Sequence, residues 1–178
     1  MIDASVGVRL FSNEEGAEEV ARFFDGGAAC ADLHLCVPDL FFVECANVFL
    51  KQARRGDYSA AAAKKNQAAL LALAFKPYPV EPFSSDALEL ATRHGLSAYD
   101  ALYACLAHFL KTTLVTCDYR LIRALAGSAI SLSDPVAASR LVGMRALNAD
   151  IKKKGGIGFW SSDVKDEESR PASQLDLP

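Results

Sequence analysis

Four carboxylates stand in apolar surroundings, where an ionised side chain is unfavourable unless its charge is compensated: Asp3, Glu44, Asp100 and Asp118. Moving an unpaired carboxylate into an apolar interior costs several kcal/mol. A hard divalent cation compensates several carboxylates at once because it prefers oxygen ligands. The sequence has no His or Cys cluster with zinc spacing, which favours Mg²⁺ or Mn²⁺ over zinc. The pattern therefore predicts a magnesium or manganese site built from these four residues.

Each of these carboxylates also has a simpler structural interpretation. Asp3 or Asp118 can cap the N-terminus of a helix, and Asp100 can lie at the positive end of its own helix. Glu44 can pair with a buried arginine, although its predicted helix offers no arginine nearby. A single metal site accounts for all four positions together, which makes it the preferred hypothesis.

The chain pattern predicts alternating strands and helices. Strands are predicted over Leu33–Val37, Tyr78–Val80, Thr113–Cys117 and Ala129–Leu132, and helices over Asp39–Arg55, Ser59–Phe75, Ser84–His94, Ala98–Leu110 and Asp118–Leu125. A first, short strand is predicted to end at Asp3. This alternation indicates an α/β fold with a parallel sheet. Asp3 and Asp118 then close two strands, where open parallel sheets place their ligands.

The helix predicted over Asp39–Arg55 carries Glu44 in an otherwise apolar stretch. Leu40, Phe41, Val43, Glu44, Asn47, Val48 and Leu50 are predicted to share one broad face of it. In the strand predicted over Thr113–Cys117, successive residues face opposite ways, so Thr116 rather than Cys117 shares a face with Asp118. The cysteines are therefore not expected to take part in the metal site.

Composition excludes several classes of protein. The chain is 51% hydrophobic, enough to bury a core, and no apolar run reaches the roughly 20 residues of a membrane span. With no secretory signal visible at the start, a cytoplasmic protein is expected. The five cysteines form no CxxC pair and are expected to be reduced. A net charge of −3 disfavours a protein that coats nucleic acid nonspecifically.

Four sequence segments occur in an order that is informative as a set. They are Ile-Asp-Ala-Ser-Val at 2–6, Val-Pro-Asp-Leu-Phe-Phe-Val-Glu-Cys-Ala-Asn-Val at 37–48, Leu-Ser-Ala-Tyr-Asp-Ala-Leu-Tyr at 96–103 and Leu-Val-Thr-Cys-Asp-Tyr-Arg-Leu at 114–121. In these segments the chain resembles the PIN-domain family, most closely the small bacterial VapC-type toxins. The resemblance runs from Ile2 to about Pro135. Two features depart from the family pattern, namely the very short first strand and the long segment after Pro135.

The resemblance implies a fold, an activity and a set of partners. The fold is a three-layer α/β arrangement in which helices flank a central parallel five-stranded sheet. The activity is metal-dependent hydrolysis of single-stranded or structured RNA, with Mg²⁺ or Mn²⁺ as cofactor. The metal-ligand role is carried onto Asp3, Glu44, Asp100 and Asp118, with Ser5, Asn47 and Thr116 as supporting residues. VapC-type toxins are held inactive by a small antitoxin, and homodimers are common in the family, so both are expected here.

Residues 1–140 are then predicted to form the PIN-like domain, and residues 141–178 a C-terminal extension. The extension contains Lys152–Lys154 and a charged end with Ser and Pro, so it is expected to be partly disordered. Alternatively, Phe159 and Trp160 dock it onto the domain or onto a second copy. The helices predicted at 39–55 and 59–75 offer an apolar face to an antitoxin.

An acidic metal centre needs cations to receive the RNA backbone. The basic residues placed to contact phosphate are Arg9, Lys51, Arg54, Arg55 and Arg120. Each is equally consistent with ordinary surface charge. Tyr99 and Tyr103 can stack on a base, but helical packing in the core is the favoured interpretation for both.

Three alternative functions stay open from sequence. A phospho-acceptor domain also clusters Asp residues around Mg²⁺, but it needs a lysine after a late strand, and Lys111 precedes its strand. A non-catalytic binding module is disfavoured by the presence of all four carboxylates. A nuclease acting on DNA is the third alternative.

Overall fold

The computed structural model describes residues 1–28, 30 and 33–140. The C-terminal extension predicted at 141–178 lies outside the described residues. Within them the helices are α1 (Ala4–Arg9), α2 (Ala17–Ala28), α3 (Phe41–Arg55), α4 (Ala60–Leu71), α5 (Ser84–His94), α6 (Ala98–Phe109) and α7 (Tyr119–Ala124). The strands are β1 (Leu35–Pro38), β2 (Phe75–Tyr78), β3 (Leu114–Val115) and β4 (Leu132–Ser133). A 3₁₀ turn over Glu81–Phe83 leads into α5.

The strands pair in parallel, as the alternation of elements predicts. β1 pairs with β2, with Leu35 opposite Phe75, and β3 pairs with β4, with Leu114 opposite Leu132. These pairs form two two-stranded sheets. The α/β architecture is therefore confirmed, whereas the central five-stranded sheet is not confirmed by the described residues.

The first three residues lie between the two strand pairs. The Ile2 amide donates to the Cys36 carbonyl at 2.8 Å, and the Val115 amide donates to the Met1 carbonyl at 2.9 Å. The Asp3 amide returns a bond to the Val115 carbonyl at 3.0 Å. Because α1 begins immediately after Asp3, this segment is too short for a regular strand, and only an isolated bridge joins Ile2 to Val115.

Two predicted strands were misplaced. The second strand is Phe75–Tyr78 instead of Tyr78–Val80, because the alanine-rich helix α4 ends at Leu71 and leaves Phe75 free to pack. The Phe75 ring makes an edge contact with Phe41 at 5.1 Å between ring centroids. The last strand is Leu132–Ser133 instead of Ala129–Leu132, and its register with β3 fixes it there.

Helix α3 divides its apolar residues between two faces. Phe41, Cys45, Phe49 and Gln52 are buried at helical spacing, whereas Val43 is 72% exposed and Leu50 is 45% exposed. The single broad apolar face expected from sequence is therefore wrong, because Val43 and Leu50 lie only one or two residues from the buried positions, and residues one or two apart do not share a face of a helix. Central helix α6 is buried through residues 103–107. No helix in the described part of the chain is long and apolar enough to cross a membrane.

Helix α1 packs closely on α3 at Gly7. A Cβ atom at this position would lie 2.6 Å from Phe41 Cζ and 3.2 Å from Cys45 Sγ. Both neighbours are fully buried, so they have little room to move. The glycine is therefore required by packing rather than by backbone conformation.

We expect Gly7→Ala to destabilise the fold. Overpacking of a buried site costs about 1–3 kcal/mol, which exceeds the gain of about 1 kcal/mol from alanine in a helix. Gly27→Ala in α2 is a matched control, because its Cβ would come no closer than 3.5 Å to Leu33. Urea unfolding should show a lower midpoint for the first variant and an equal or higher one for the second. An equally stable Gly7→Ala protein would contradict this account of the α1–α3 contact.

Candidate active site

All four carboxylates singled out from sequence line one open cavity of about 370 Å³. Each sits at the N-terminal end of a helix. Asp3 caps α1 and Asp118 caps α7, while Glu44 and Asp100 lie in the first turns of α3 and α6. The positive ends of these helices partly offset the negative charge of the groove. The capping interpretation and the shared-site interpretation therefore hold together for Asp3 and Asp118.

Asp3 is fixed by two hydroxyl groups. Thr116 Oγ1 donates to Asp3 Oδ2 at 2.8 Å, and Ser5 Oγ donates to the same oxygen. The hydroxyls in turn accept backbone amides, Thr116 from Asp118 at 2.9 Å and Ser5 from Cys117 at 2.9 Å. Asp3 is only 6% exposed and Thr116 is fully buried. All hydrogen bonds that described residues donate to the Asp3 carboxylate use Oδ2, so Oδ1 stays available to a cation.

Glu44 is held by a tyrosine rather than by an arginine. The Tyr103 hydroxyl donates to Glu44 Oε2 at 2.6 Å, which links α6 to α3 across the groove. Tyr103 is 1% exposed, so core packing, the favoured interpretation, applies to it and base stacking does not. Tyr99, in contrast, is 60% exposed.

The Asp118 carboxylate accepts its hydrogen bonds from the helix that it caps. Its Oδ1 accepts the Arg120 amide at 2.7 Å, and its Oδ2 pairs with Arg120 Nη2 at 3.3 Å. Partial burial acts to raise the pKa of Asp118, but these hydrogen bonds outweigh it and hold the pKa below its usual range. Asp118 therefore stays ionised, with a partner that is itself largely solvent-exposed.

Crowding and burial act in the opposite sense on two other carboxylates. Burial raises the pKa of Asp3, and the hydrogen bonds from Ser5 and Thr116 only partly oppose this. Burial also raises the pKa of Glu44, where the negative charges of Asp3 and Asp100 add to the effect. The groove thus concentrates negative charge that a divalent cation would relieve.

The donor set fits magnesium or manganese by its chemistry. All candidate ligands are carboxylate oxygens, which hard divalent cations prefer. Among the residues described, however, no group of three or more His, Cys, Asp or Glu side chains has the spacing of a metal-ligand cluster.

The other residues predicted for the site are distributed unevenly. Ser5, Arg9 and Arg55 line the groove. Arg9 pairs with Glu14 at 2.9 Å, and Arg55 with Asp57 at 2.8 Å. The remaining predicted residues, Asn47, Lys51, Arg54 and Arg120, are exposed and do not line the cavity.

Sequence reasoning did not identify Gln52 as a groove residue. It is buried in α3 and lines the cavity two turns beyond Glu44. The available signal was its spacing, since residues 44, 48, 52 and 55 fall on one face of a helix.

The raised pKa values predict a pH dependence for the metal-free protein. A carboxyl group whose pKa is higher in the folded state does not destabilise the protein at pH values below its unfolded pKa, near 4. It destabilises the folded state increasingly as the pH rises through the folded pKa. Asp3 and Glu44 should therefore make stability fall with rising pH above about 4 in the presence of EDTA. Asp118, with its lowered pKa, is ionised in both the folded and the unfolded protein between pH 5 and 7, so it does not change the pH dependence of stability there.

This is measured by comparing wild type with the double variant Asp3→Asn/Glu44→Gln. The wild-type minus variant difference in free energy of unfolding should decrease as the pH rises from about 4 to about 7. Titrating groups remote from the groove contribute equally to both proteins and cancel in that difference. A flat difference would show that the two carboxyls titrate normally in the folded protein.

The chain is similar to known proteins over most of its described length. A family model described as the PIN domain matches residues 1–127. The chain is 34% identical over 124 residues to Ribonuclease VapC3 from Pyrobaculum aerophilum, which covers 68% of this chain and 90% of that protein. It is also similar to the crystal structure of PAE2754 from Pyrobaculum aerophilum, with a TM-score of 0.62 and 26% identity, covering 80% of this chain and 95% of the other.

Proposed function

Because the chain belongs to the PIN-domain family, we propose that it is a VapC-type ribonuclease, the toxin of a toxin–antitoxin pair. The observation that carries this proposal is the single groove onto which four separate helices bring Asp3, Glu44, Asp100 and Asp118. The relative named Ribonuclease VapC3 supports RNA as substrate. The reaction is hydrolysis of a phosphodiester bond in single-stranded or structured RNA.

The four carboxylates would hold Mg²⁺ or Mn²⁺. Such an ion, when bound, lowers the pKa of an attacking water and stabilises charge on the leaving oxygen. The protein's own contribution is to fix the ligands. Ser5 and Thr116 orient Asp3 through one of its oxygens, and Tyr103 orients Glu44 in the same way. Preset orientations of this kind reduce the reorganisation needed when a cation and substrate arrive.

The RNA backbone is received by the cations around the groove. Arg9 and Arg55 stand in its wall, and their pairs with Glu14 and Asp57 are partly exposed. Exposed ion pairs contribute at most about 1 kcal/mol, so a phosphate can replace either carboxylate. Lys51, Arg54 and Arg120 do not line the groove, and they serve neighbouring phosphates.

A cognate antitoxin and a second copy of the chain are the proposed protein partners. Val43 and Leu50 on α3 and Leu71 on α4 are exposed large apolar residues on two helices that pack together. Exposed apolar groups grouped in this way are typical of protein interaction sites. In the same proposal the two strand pairs and residues 1–3 act as one five-stranded sheet, through the backbone bonds made by Ile2 and Val115.

A cleavage assay tests the proposal against its alternatives. The purified chain is incubated with a pool of labelled single-stranded RNA, and with DNA of matching sequence, in Mg²⁺, Mn²⁺ or EDTA. We expect cutting of RNA that requires the metal. Cutting of DNA alone would favour the DNA nuclease, and binding of RNA without cutting in any metal would favour the binding module.

A further inference from the structure

Gln52 presents hydrogen-bond donors to the groove that described residues do not use. The residue is 8% exposed, and it lines the cavity. The Tyr58 hydroxyl donates to Gln52 Oε1 at 2.8 Å. Among the described residues no hydrogen bond is made by Gln52 Nε2. This nitrogen is not one of the buried side-chain atoms of the described residues that lack a partner, so it reaches the solvent of the groove and is free to donate to something that enters it.

Tyr58 contacts the oxygen end of the Gln52 amide. The Tyr58 hydroxyl donates to Gln52 Oε1 at 2.8 Å, and the Phe49 carbonyl lies 3.3 Å from the same hydroxyl. A hydroxyl that donates to Gln52 requires the amide oxygen on its side. The NH₂ group then points the other way.

The position of Gln52 along α3 relates it to the carboxylates. It lies eight residues after Glu44 on the same face, which is about 12 Å along the helix axis. The basic residue Arg55 follows on that face. Along this wall of the groove, an acidic residue is followed by a neutral hydrogen-bond donor and then by a basic residue. The donor is too far from the carboxylates to reach the bond that is cut there.

We propose that Gln52 is a substrate-binding residue whose Nε2 group donates to an acceptor oxygen of a nucleotide neighbouring the one that is cleaved, with Tyr58 as its positioning residue. This inference rests on the proposed ribonuclease function. Phosphate oxygens, the ribose 2′-hydroxyl and base carbonyls all have the required acceptor chemistry. Arg9 and Arg55 in the same groove make the phosphate the favoured acceptor.

The test measures KM and kcat on short single-stranded RNA for three variants. Gln52→Met keeps the length of the side chain but removes the donors. Gln52→Glu keeps the acceptor for Tyr58 and replaces the donors by a negative charge. Gln67→Met is the matched control, because Gln67 donates to the Phe42 carbonyl at 3.2 Å and does not line the groove.

We expect Gln52→Met to raise KM about 2- to 12-fold, the range of one net hydrogen bond, with a smaller change in kcat. Gln52→Glu should raise KM further, and Gln67→Met should leave it unchanged. Tyr58→Phe, which frees the amide without removing it, should give an intermediate rise. The Mn²⁺-induced rise in thermal midpoint should be the same in Gln52→Met as in wild type, because Gln52 is no metal ligand.

The outcomes separate this inference from the proposed function. If wild type cuts no RNA, the proposed function fails. If wild type cuts RNA and the folded Gln52→Met protein has the wild-type KM, the inference alone fails. Should Gln52→Met not fold, Gln52→Glu decides in the same way, since it keeps the Tyr58 bond. Substrates that differ in one base beside the cut then identify the acceptor: an equal loss for every base indicates the backbone, and an unequal loss indicates a base carbonyl.

Discussion

Asp100→Asn is expected to reduce RNA cleavage by at least about a hundredfold while leaving the protein folded and no less stable. Loss of one member of a group of residues that act together commonly has effects of this size or larger. Asp100 is the most informative position, because no described residue donates a hydrogen bond to its carboxylate, and the side-chain hydrogen bond at this residue is that of its backbone amide to Ser97 Oγ at 3.1 Å. The substitution therefore removes charge and little else.

The expected stability of the Asp100→Asn protein follows from the repulsion between carboxylates in the groove. The negative charge of Asp100 contributes to the raised pKa of both Asp3 and Glu44. Removing that charge relieves both carboxylates in the metal-free protein, so the thermal midpoint in EDTA should rise or stay the same.

Asp25→Asn is the control for this substitution, since Asp25 is an exposed residue of α2 away from the groove. It should retain wild-type cleavage. If Asp100→Asn cuts RNA at the wild-type rate, the catalytic assignment of the groove is wrong. If it unfolds instead, Asp100 has a structural role that the described contacts do not explain.

The carboxylates could be predicted from sequence because their surroundings are local. Glu44 is followed by buried Cys45 and Phe49 in its own helix, and the strand before Asp118 is short and apolar. An acid in such a setting is recognisable without knowledge of the fold. The start of α6 at Ser97 could be predicted for the same reason, and its hydroxyl does accept the Asp100 amide.

What supports those carboxylates could not be worked out from local pattern. The bond between Tyr103 and Glu44 joins residues 59 apart in sequence, and that between Thr116 and Asp3 joins residues 113 apart. The resemblance to known nucleases indicated Thr116, but nothing local indicated Tyr103. Gln52 was missed because its burial depends on how α3 packs against the rest of the domain.

The strand positions show the limit of propensity. Alanine favours helix, and the run before Phe75 extended the predicted helix to that residue. Aromatic packing of Phe75 against Phe24 and Phe41 outweighs this preference and places it in β2. Tertiary contacts of this kind routinely override local preference.

Removing the metal should abolish cleavage and also lower the thermal stability of the protein. In the groove the negative charge of Asp100 helps to raise the pKa of Asp3, and the charges of Asp3 and Asp100 help to raise the pKa of Glu44. A divalent cation that binds the folded state removes this repulsion and stabilises that state by mass action. At ten times the dissociation constant the gain is about 1.4 kcal/mol. For a domain of this size that corresponds to a rise in thermal midpoint of about 3–6 °C.

Thermal scans in Mn²⁺, Mg²⁺ and EDTA measure this without knowledge of the RNA target. The rise should disappear in Asp3→Asn/Asp100→Asn and persist in Glu18→Gln/Asp25→Asn, which removes two exposed charges from α2. A monovalent salt of equal ionic strength should not reproduce it, because screening weakens exposed charges while ligation needs the buried carboxylate of Asp3. If saturating Mn²⁺ leaves the wild-type curve unchanged, the four carboxylates do not bind metal. The same groove would then serve recognition alone, with Arg9 and Arg55 as its means of holding RNA.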